Sequence, residues 1–217
     1  MTTGIRPQLQ LAVDALSLEE ALRIVAKVHP HMDIVEVGTS LIFEAGLAAV
    51  ESLRAKHPDK KYLADLKIMD GGKIEANSAF ARGAQIVTVL AAADDSTIGG
   101  ALEAAGKHGG QIMADLINTP NPAERAGKLE RMGVPIVCVH TAYDRQAGGA
   151  SPFAELQEVR AAVRCHVAVA GGLKVGTVTL ALEAGADILV VGGGIIAQPD
   201  PREAASQIMK RIQETKR

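Results

Sequence analysis

The sequence of 217 residues predicts an α/β fold, a (β/α)8 TIM barrel formed by a single domain over residues 1–217. Eight short apolar segments alternate with segments of helical character, which is the order expected of repeated βα units. Three helix-to-strand joints, at residues 82–87, 131–137 and 183–189, repeat a glycine, a small or apolar residue and an apolar strand. No shift in composition marks a domain boundary. A doubly wound open sheet is the alternative fold.

The predicted strands are rich in Val, Ile, Leu and Ala, as parallel strands buried on both faces usually are. Aromatic residues make up only 2% of the sequence and Trp is absent, so aliphatic side chains must fill the core. In order, the predicted strands are residues 8–13, 33–37, 62–68, 85–90, 111–117, 135–139, 167–170 and 187–191.

Capping and stop signals delimit the predicted helices. Ser17 and Glu20 form a capping box before the first helix, and Pro30 prevents its continuation. Residues 140–150 are polar and rich in glycine, so we predict a loop there. The other helices are predicted to run up to residue 57, over 73–82, from 94 or 95 to about 109, from 122 to about 133, from 151, up to 185, and over about 201–216.

Charge and composition argue against several classes of partner. The net charge is −2 and the sequence has no basic block, so nucleic acid is not an expected partner. The amino terminus lacks the apolar region of a secretory signal, and Ile188–Val191 is too short to span a bilayer. Cys138 and Cys165 lack metal-ligand spacing and are predicted to be reduced core thiols. We therefore predict a cytoplasmic protein without membrane contact.

Polar residues gather at the carboxyl ends of the predicted strands, where barrel enzymes carry their active sites. In the strand over residues 62–68, Leu66 and Ile68 point to one face while Asp65 and Lys67 point to the other. The full set comprises Asp14, Glu36, Asp65, Lys67, Asp70, Asp115 and His140. A surface salt bridge would explain Asp65 and Lys67 alone, but the whole set predicts an active site.

Two glycine clusters and one pair of carboxylates extend this prediction. Gly171 and Gly172 follow the seventh strand, and Gly193 and Gly194 follow the eighth, where barrels often bind phosphate. Tight turns are the alternative explanation for these glycines. Glu36 and Asp65 could bind a hard divalent cation such as Mg²⁺. His140 could act as a general base, because the ordinary pKa of histidine lies near neutrality.

The motif Asp65-x-Lys67-x-x-Asp70 resembles the signature of the orotidine 5'-monophosphate decarboxylase superfamily. Within it, the wider sequence is most similar to the 3-hexulose-6-phosphate synthase family. The matching segments recur in order at strand ends and lie within residues 8–14, 35–39, 64–70, 138–147, 170–172 and 191–195. The resemblance therefore covers almost the whole chain.

This resemblance implies a Mg²⁺-dependent aldolase. It would join formaldehyde to D-ribulose 5-phosphate reversibly, giving D-arabino-3-hexulose 6-phosphate through a metal-stabilised enediolate. By this resemblance Glu36 and Asp65 hold Mg²⁺, His140 takes a proton from C1, and Lys67 stabilises the developing charge. The expected contacts to substrate hydroxyls, phosphate and Lys67 come from Asp14, Asp70, Asp115, Gly171, Gly172, Gly193 and Gly194. The resemblance also implies a homodimer in which the position of Asp70 reaches the neighbouring site.

Two other functions remain open at this point. The related 3-keto-L-gulonate-6-phosphate decarboxylase usually carries Trp where this chain has Leu66, and residues 141–143 also favour the synthase. A non-catalytic sugar-phosphate-binding barrel is the second alternative. The set of Asp65, Lys67, Asp70 and His140 argues against it, because phosphate binding alone does not require them.

Overall fold

The computed structural model describes residues 6–146 and 148–215. Eight parallel strands pair in sequence order, and the eighth closes onto the first. The predicted (β/α)8 barrel is confirmed, and the closed sheet excludes the open-sheet alternative. The strands are β1 (Gln8–Val13), β2 (Ile34–Val37), β3 (Lys61–Ile68), β4 (Ile86–Leu90), β5 (Gln111–Asp115), β6 (Ile136–His140), β7 (His166–Ala170) and β8 (Ile188–Val191).

The helices surround the barrel and differ from prediction in three places. Two helices, rather than one, connect β2 to β3, because Gly46 ends the first with a positive φ of 64°. A short helix forms within the predicted loop 140–150, and another follows β8. The helices are α1 (Leu18–Val28), α2 (Thr39–Ala45), α3 (Ala48–Lys56), α4 (Gly72–Ala81), α5 (Asp95–His108), α6 (Pro122–Arg131), α7 (Tyr143–Gln146), α8 (Phe153–Ala162), α9 (Val178–Glu183), α10 (Gly193–Ile196) and α11 (Pro201–Glu214).

Strand alternation divides the core into two layers. Inward side chains such as Ile34, Leu63, Met113 and Ile188 fill the barrel interior, and outward ones pack beneath the helices. Cys138 belongs to the inner layer. Cys138 and the half-buried Cys165 are both free thiols.

β5 ends two residues earlier than predicted. The Ile117 N–H donates to Oδ1 of Asp115 at 2.9 Å, so an aspartate turn replaces the last residues of the predicted strand. Asp115 therefore stands at the carboxyl-terminal opening of the barrel. Within the part of the chain described, no helix has the length and apolar character needed to cross a bilayer.

Candidate active site

β3 carries a partly buried ion pair into the barrel mouth. Nζ of Lys67 contacts Oδ2 of Asp65, and both side chains lie on the inner face, as alternation predicted. Nζ also donates to Oγ1 of Thr39 at 3.3 Å. The backbone between them is irregular: the pairing with β4 shifts between Ala64 and Ile68, and Lys67 has a φ of 46°. A simple alternating strand did not predict this bulge.

Burial and neighbouring charge shift the pKa values of this pair. Burial alone would lower the pKa of Lys67, but Asp65, together with Asp115 and Glu36, raises it above its ordinary value. Burial opposes ionisation of Asp65, yet Lys67 and hydrogen bonds from Thr88 and Thr39 bring the pKa of that carboxyl below its usual range. The pair is therefore an ammonium beside a carboxylate at neutral pH.

Glu36 of β2 is a buried carboxyl group next to this pair. Nε2 of Gln10 donates to its Oε2 at 2.6 Å. Burial raises the pKa of Glu36 well above its usual range, and the negative charge of Asp65 raises it further. Within the described residues, Oε1 of the same Gln10 amide is buried and has no hydrogen-bond partner. This part of the mouth therefore concentrates carboxyl groups and oxygen acceptors.

His140, the last residue of β6, is oriented by Asp115 of β5. Nδ1 of His140 lies 2.8 Å from Oδ2 of Asp115, which is buried. A carboxylate accepts hydrogen bonds, so Nδ1 of the neutral imidazole carries the proton and Nε2 is left as the basic nitrogen. Because Oδ1 of Asp115 accepts a hydrogen bond from the Ile117 N–H, both carboxylate oxygens of Asp115 are bonded within the protein. The predicted substrate contact of Asp115 stays a prediction.

Asp14 and Asp70 lie at the rim of the mouth rather than in its buried centre. Asp14 is exposed and accepts from Oγ of Ser40 at 3.1 Å. Gly38 makes room for it, since a Cβ there would lie 2.3 Å from Oδ1 of Asp14. Asp70 is exposed and its Oδ1 caps the Gly71 N–H at 2.7 Å. Both carboxylates are open to a ligand, and their predicted roles stay predictions.

The four predicted phosphate-binding glycines lie at the ends of two adjacent strands. At Gly171 the backbone has a φ of 100°, and a Cβ would lie 2.4 Å from the Thr141 carbonyl oxygen. A Cβ at Gly194 would lie 2.0 Å from the Leu173 carbonyl oxygen, whereas Gly193, the first residue of α10, has open space. Close packing accounts for Gly171 and Gly194 without a ligand, so phosphate binding stays a prediction.

Three polar residues of the site were not predicted from the sequence. Gln10 contacts Glu36, Thr39 contacts Asp65 and Lys67, and Thr88 contacts Asp65 and the backbone of Lys67. Gln10 and Thr88 each interrupt an apolar strand at an inward position. That interruption is the signal which could have identified them. Thr39 follows a glycine after β2 and carried no such signal.

Comparison with known proteins identifies the class of this barrel. The sequence model of the orotidine 5'-phosphate decarboxylase / HUMPS family matches residues 7–208. The chain belongs to this family. The predicted superfamily membership is confirmed.

Two curated relatives of the chain belong to one group within this family. The chain is 41% identical over 206 residues to 3-hexulose-6-phosphate synthase of Bacillus subtilis strain 168, covering 94% of this chain and 98% of the relative. It is 43% identical over 200 residues to 3-hexulose-6-phosphate synthase of Methylomonas aminofaciens, covering 92% and 96% respectively. The predicted resemblance to the synthase family is confirmed, as is the prediction of an enzyme.

Solved structures show the same relationship. The 3-hexulose-6-phosphate synthase from Salmonella typhimurium superposes with a TM-score of 0.93 at 38% identity, covering 95% of this chain and 99% of that one. The structure of KGPDC from Streptococcus mutans in complex with a sugar phosphate has a TM-score of 0.89 at 27% identity, covering 95% and 97%. The barrel is thus shared by a synthase and by a relative that binds a sugar phosphate.

Proposed function

We propose that this protein catalyses the reversible aldol condensation of formaldehyde with D-ribulose 5-phosphate, giving D-arabino-3-hexulose 6-phosphate. The observation that carries the proposal is that a cluster of charged and carboxyl side chains and a potential general base lie in the same barrel mouth. An ammonium, a carboxylate and a buried carboxyl group, from Lys67, Asp65 and Glu36 respectively, share the mouth with a histidine whose Nε2 is available as a base. The identity of over 40% to the curated synthases supports the same reaction.

The donor set of the site fits a hard divalent cation. Glu36 and Asp65 supply carboxylate oxygens, and Mg²⁺ commonly takes one or two carboxylates and leaves its other positions to water and substrate. Gln10 adds a buried oxygen without a partner among the described residues. Over the same part of the chain, no group of three or more His, Cys, Asp or Glu side chains forms a ready-made metal cluster. When bound, Mg²⁺ would act as a Lewis acid that polarises substrate oxygens.

His140 is proposed to remove the proton from C1 of D-ribulose 5-phosphate through Nε2. Asp115 holds the imidazole in the tautomer that this step needs and favours the imidazolium formed by it. The resulting carbanion-like carbon forms the new bond to formaldehyde. His140 then returns its proton to the new hydroxyl oxygen, so the histidine ends the cycle neutral.

Lys67 is proposed to stabilise the negative charge that develops on the substrate oxygens. Its ammonium is held in a partly buried position by Asp65, so it needs little reorganisation during the reaction. Asp14 and Asp70 would bind sugar hydroxyls at the rim, and Gly171, Gly172, Gly193 and Gly194 would bind the phosphate through backbone N–H groups.

A direct assay tests this proposal. Purified protein is incubated with D-ribulose 5-phosphate, formaldehyde and Mg²⁺, and the product is identified by mass and ¹³C NMR with labelled formaldehyde. 3-Keto-L-gulonate 6-phosphate is offered in parallel, because the relative from Streptococcus mutans shares the barrel. Turnover of the keto acid alone would make this protein a decarboxylase. Sugar-phosphate binding without turnover of either substrate would make it a binding protein.

Metal dependence is tested in the same assay. Excess chelator should abolish condensation and added Mg²⁺ should restore it, since Glu36 and Asp65 supply only part of an oxygen shell. Full turnover in chelator would exclude the role proposed for the cation.

We also propose that the protein is a homodimer that associates through the mouth end of the barrel. Leu16, Phe43, Met69 and Ile74 are exposed apolar side chains on the segments that follow β1, β2 and β3. Exposed apolar surface of this kind is typical of protein interfaces, and Asp70 lies among these residues in sequence. Light scattering should give twice the chain mass for the wild type and the single chain mass for a Phe43→Glu, Ile74→Glu double variant. A monomeric wild type would contradict the proposal.

A further inference from the structure

The bulge in β3 leaves one residue of β4 opposite three residues of its neighbour. Ala64 pairs with Val87 and Ile68 pairs with Val89, so residues 65, 66 and 67 stand opposite Thr88 alone. A bulge of this kind removes backbone groups from the regular ladder of hydrogen bonds, and buried groups so released need other partners. The Thr88 side chain is buried at this point.

The hydroxyl of Thr88 makes two hydrogen bonds of opposite direction. Its Oγ1 accepts from the backbone N–H of Lys67 at 2.9 Å, and it donates its proton to Oδ1 of Asp65 at 2.8 Å. A hydroxyl can do both at once, whereas a methyl group can do neither. Thr88 thus replaces the missing ladder acceptor and at the same time fixes one oxygen of the Asp65 carboxylate.

Lys67 needs this support because its backbone conformation is unfavourable. Its φ of 46° lies in the left-handed region, which residues other than glycine, asparagine and aspartate rarely adopt. Such residues persist where surrounding contacts impose them, and they occur often at functional sites. The bond from the Lys67 N–H to Thr88 is a contact of that kind.

We propose that Thr88 is a positioning residue that fixes both the Asp65 carboxylate and the Lys67 ammonium in their working positions. Its hydroxyl acts on Asp65 directly and on Lys67 through the backbone. The roles of Asp65 and Lys67 rest on the function proposed above, but the contacts of Thr88 do not. The hydroxyl of Thr88, rather than its volume, is therefore what the site requires.

Two substitutions of Thr88 distinguish the effect of its hydroxyl group from the effect of its side-chain volume. Thr88→Val keeps the branched shape and removes the hydroxyl, whereas Thr88→Ser keeps the hydroxyl and removes a methyl group. The matched control is Thr119→Val, because Oγ1 of Thr119 is also buried but has no hydrogen-bond partner among the described residues. Should Thr88→Val not fold, Thr88→Ala compared with Thr88→Ser isolates the same hydroxyl.

Kinetics and metal binding give the first readouts. Thr88→Val should lower kcat by about tenfold or more while KM changes less, because the fixed charges matter most in the transition state. Binding of Mn²⁺ to metal-free protein, measured by calorimetry, should weaken by roughly fivefold to tenfold because Asp65 is no longer held. Thr88→Ser should stay within about threefold of the wild type on both measures although it is less stable, and Thr119→Val should match the wild type.

A crystal structure of Thr88→Val gives a readout independent of activity. We expect Lys67 to leave the left-handed region and the Asp65 carboxylate to rotate. Retention of the wild-type φ at Lys67 together with unchanged Mn²⁺ affinity would overturn the proposal, as would a Thr88→Ser variant impaired as severely as Thr88→Val. A wild type without aldol activity would refute the proposed function instead, and the backbone at Lys67 would still decide the role of Thr88.

Discussion

Asp33 and Asp187 each stand one residue before a strand at the amino-terminal end of the barrel, and each accepts from the second N–H of the preceding strand. Asp33 accepts from Leu9 and Asp187 from Val167, both at 2.9 Å. Gln85 does the same for Tyr62 at 2.8 Å. The two carboxylates are also paired with arginines. At this end polar side chains complete the sheet.

The carboxyl-terminal end uses carboxylates differently. Glu36 accepts from the neutral amide of Gln10, and its pKa is raised by burial and by the charge of Asp65. Asp65 forms an ion pair with Lys67, whose backbone lies in the left-handed region. Arginine therefore compensates the carboxylates at one end, whereas at the other end the buried Glu36 carboxyl group is bonded to a neutral amide. The same residue types stabilise the fold at the first end and, under the proposed function, would bind a cation and a charged intermediate at the second.

Lys67→Ala at the mouth should have the largest effect on catalysis. We expect kcat to fall on the order of 10²-fold or more, equivalent to about 2.7 kcal/mol, with a smaller change in KM. The reason is that its charge matters most as negative charge develops on the substrate. Steady-state kinetics measures this, and a variant with the kcat of the wild type would remove Lys67 from the mechanism.

His140→Ala tests the proposed role of His140 as the general base. The variant should still bind D-ribulose 5-phosphate but should fail to exchange the C1 proton with D₂O when formaldehyde is absent. The wild type should exchange one C1 proton stereospecifically, as NMR can show. Normal exchange in the variant would mean that another group, such as Asp65 or Lys67, takes the proton, and that His140 only hydrogen-bonds the substrate.

Asp33→Ala at the opposite end should change stability rather than catalysis. It removes the acceptor of the Leu9 N–H and a two-point contact with Arg6, whose Nη1 and Nη2 lie 2.9 and 2.6 Å from the carboxylate oxygens. Chemical denaturation should show a loss of about 1–3 kcal/mol. The folded variant should keep kcat within about twofold of the wild type. A large loss of kcat without loss of stability would erase the distinction between the two ends.

Local sequence patterns predicted the barrel and much of its mouth. Alternation placed Asp65 and Lys67 on one face, and the position of His140 at a strand end was sufficient to predict that it lies at the opening. These features depend on residues close together in the chain. The topology of a βα repeat then determines which end they share.

The remaining features depend on pairing between distant segments. The bulge at Lys67 follows from the register of β3 against β4, and the Thr88 contacts join residues more than twenty positions apart. The Gln10–Glu36 and Asp115–His140 contacts likewise join separate strands. A single sequence gives no register between strands, so these contacts could not be derived from it.

Glu36 is the residue at which the contrast between the two ends is sharpest, and we expect it to lower the stability of the metal-free fold and to raise the affinity for a cation. Its pKa is raised by burial, so the folded state binds more protons than the unfolded state between the ordinary and the raised pKa. Stability is therefore highest below the ordinary pKa of the group and falls as pH rises from the ordinary towards the raised value. Glu36→Gln keeps the shape and an acceptor for Gln10 while removing the ionisable group.

Thermal unfolding of wild type and Glu36→Gln, at neutral pH with and without Mg²⁺, measures this directly. Without metal we expect the variant to have the higher Tm, by at least about 2 °C for roughly 1 kcal/mol in a chain of this size. Mg²⁺ should raise the Tm of the wild type and leave that of the variant unchanged, because only a cation that binds the folded state stabilises it. A variant with the lower metal-free Tm, or with an undiminished response to Mg²⁺, would contradict the role of Glu36 as a cation ligand held at a cost to stability.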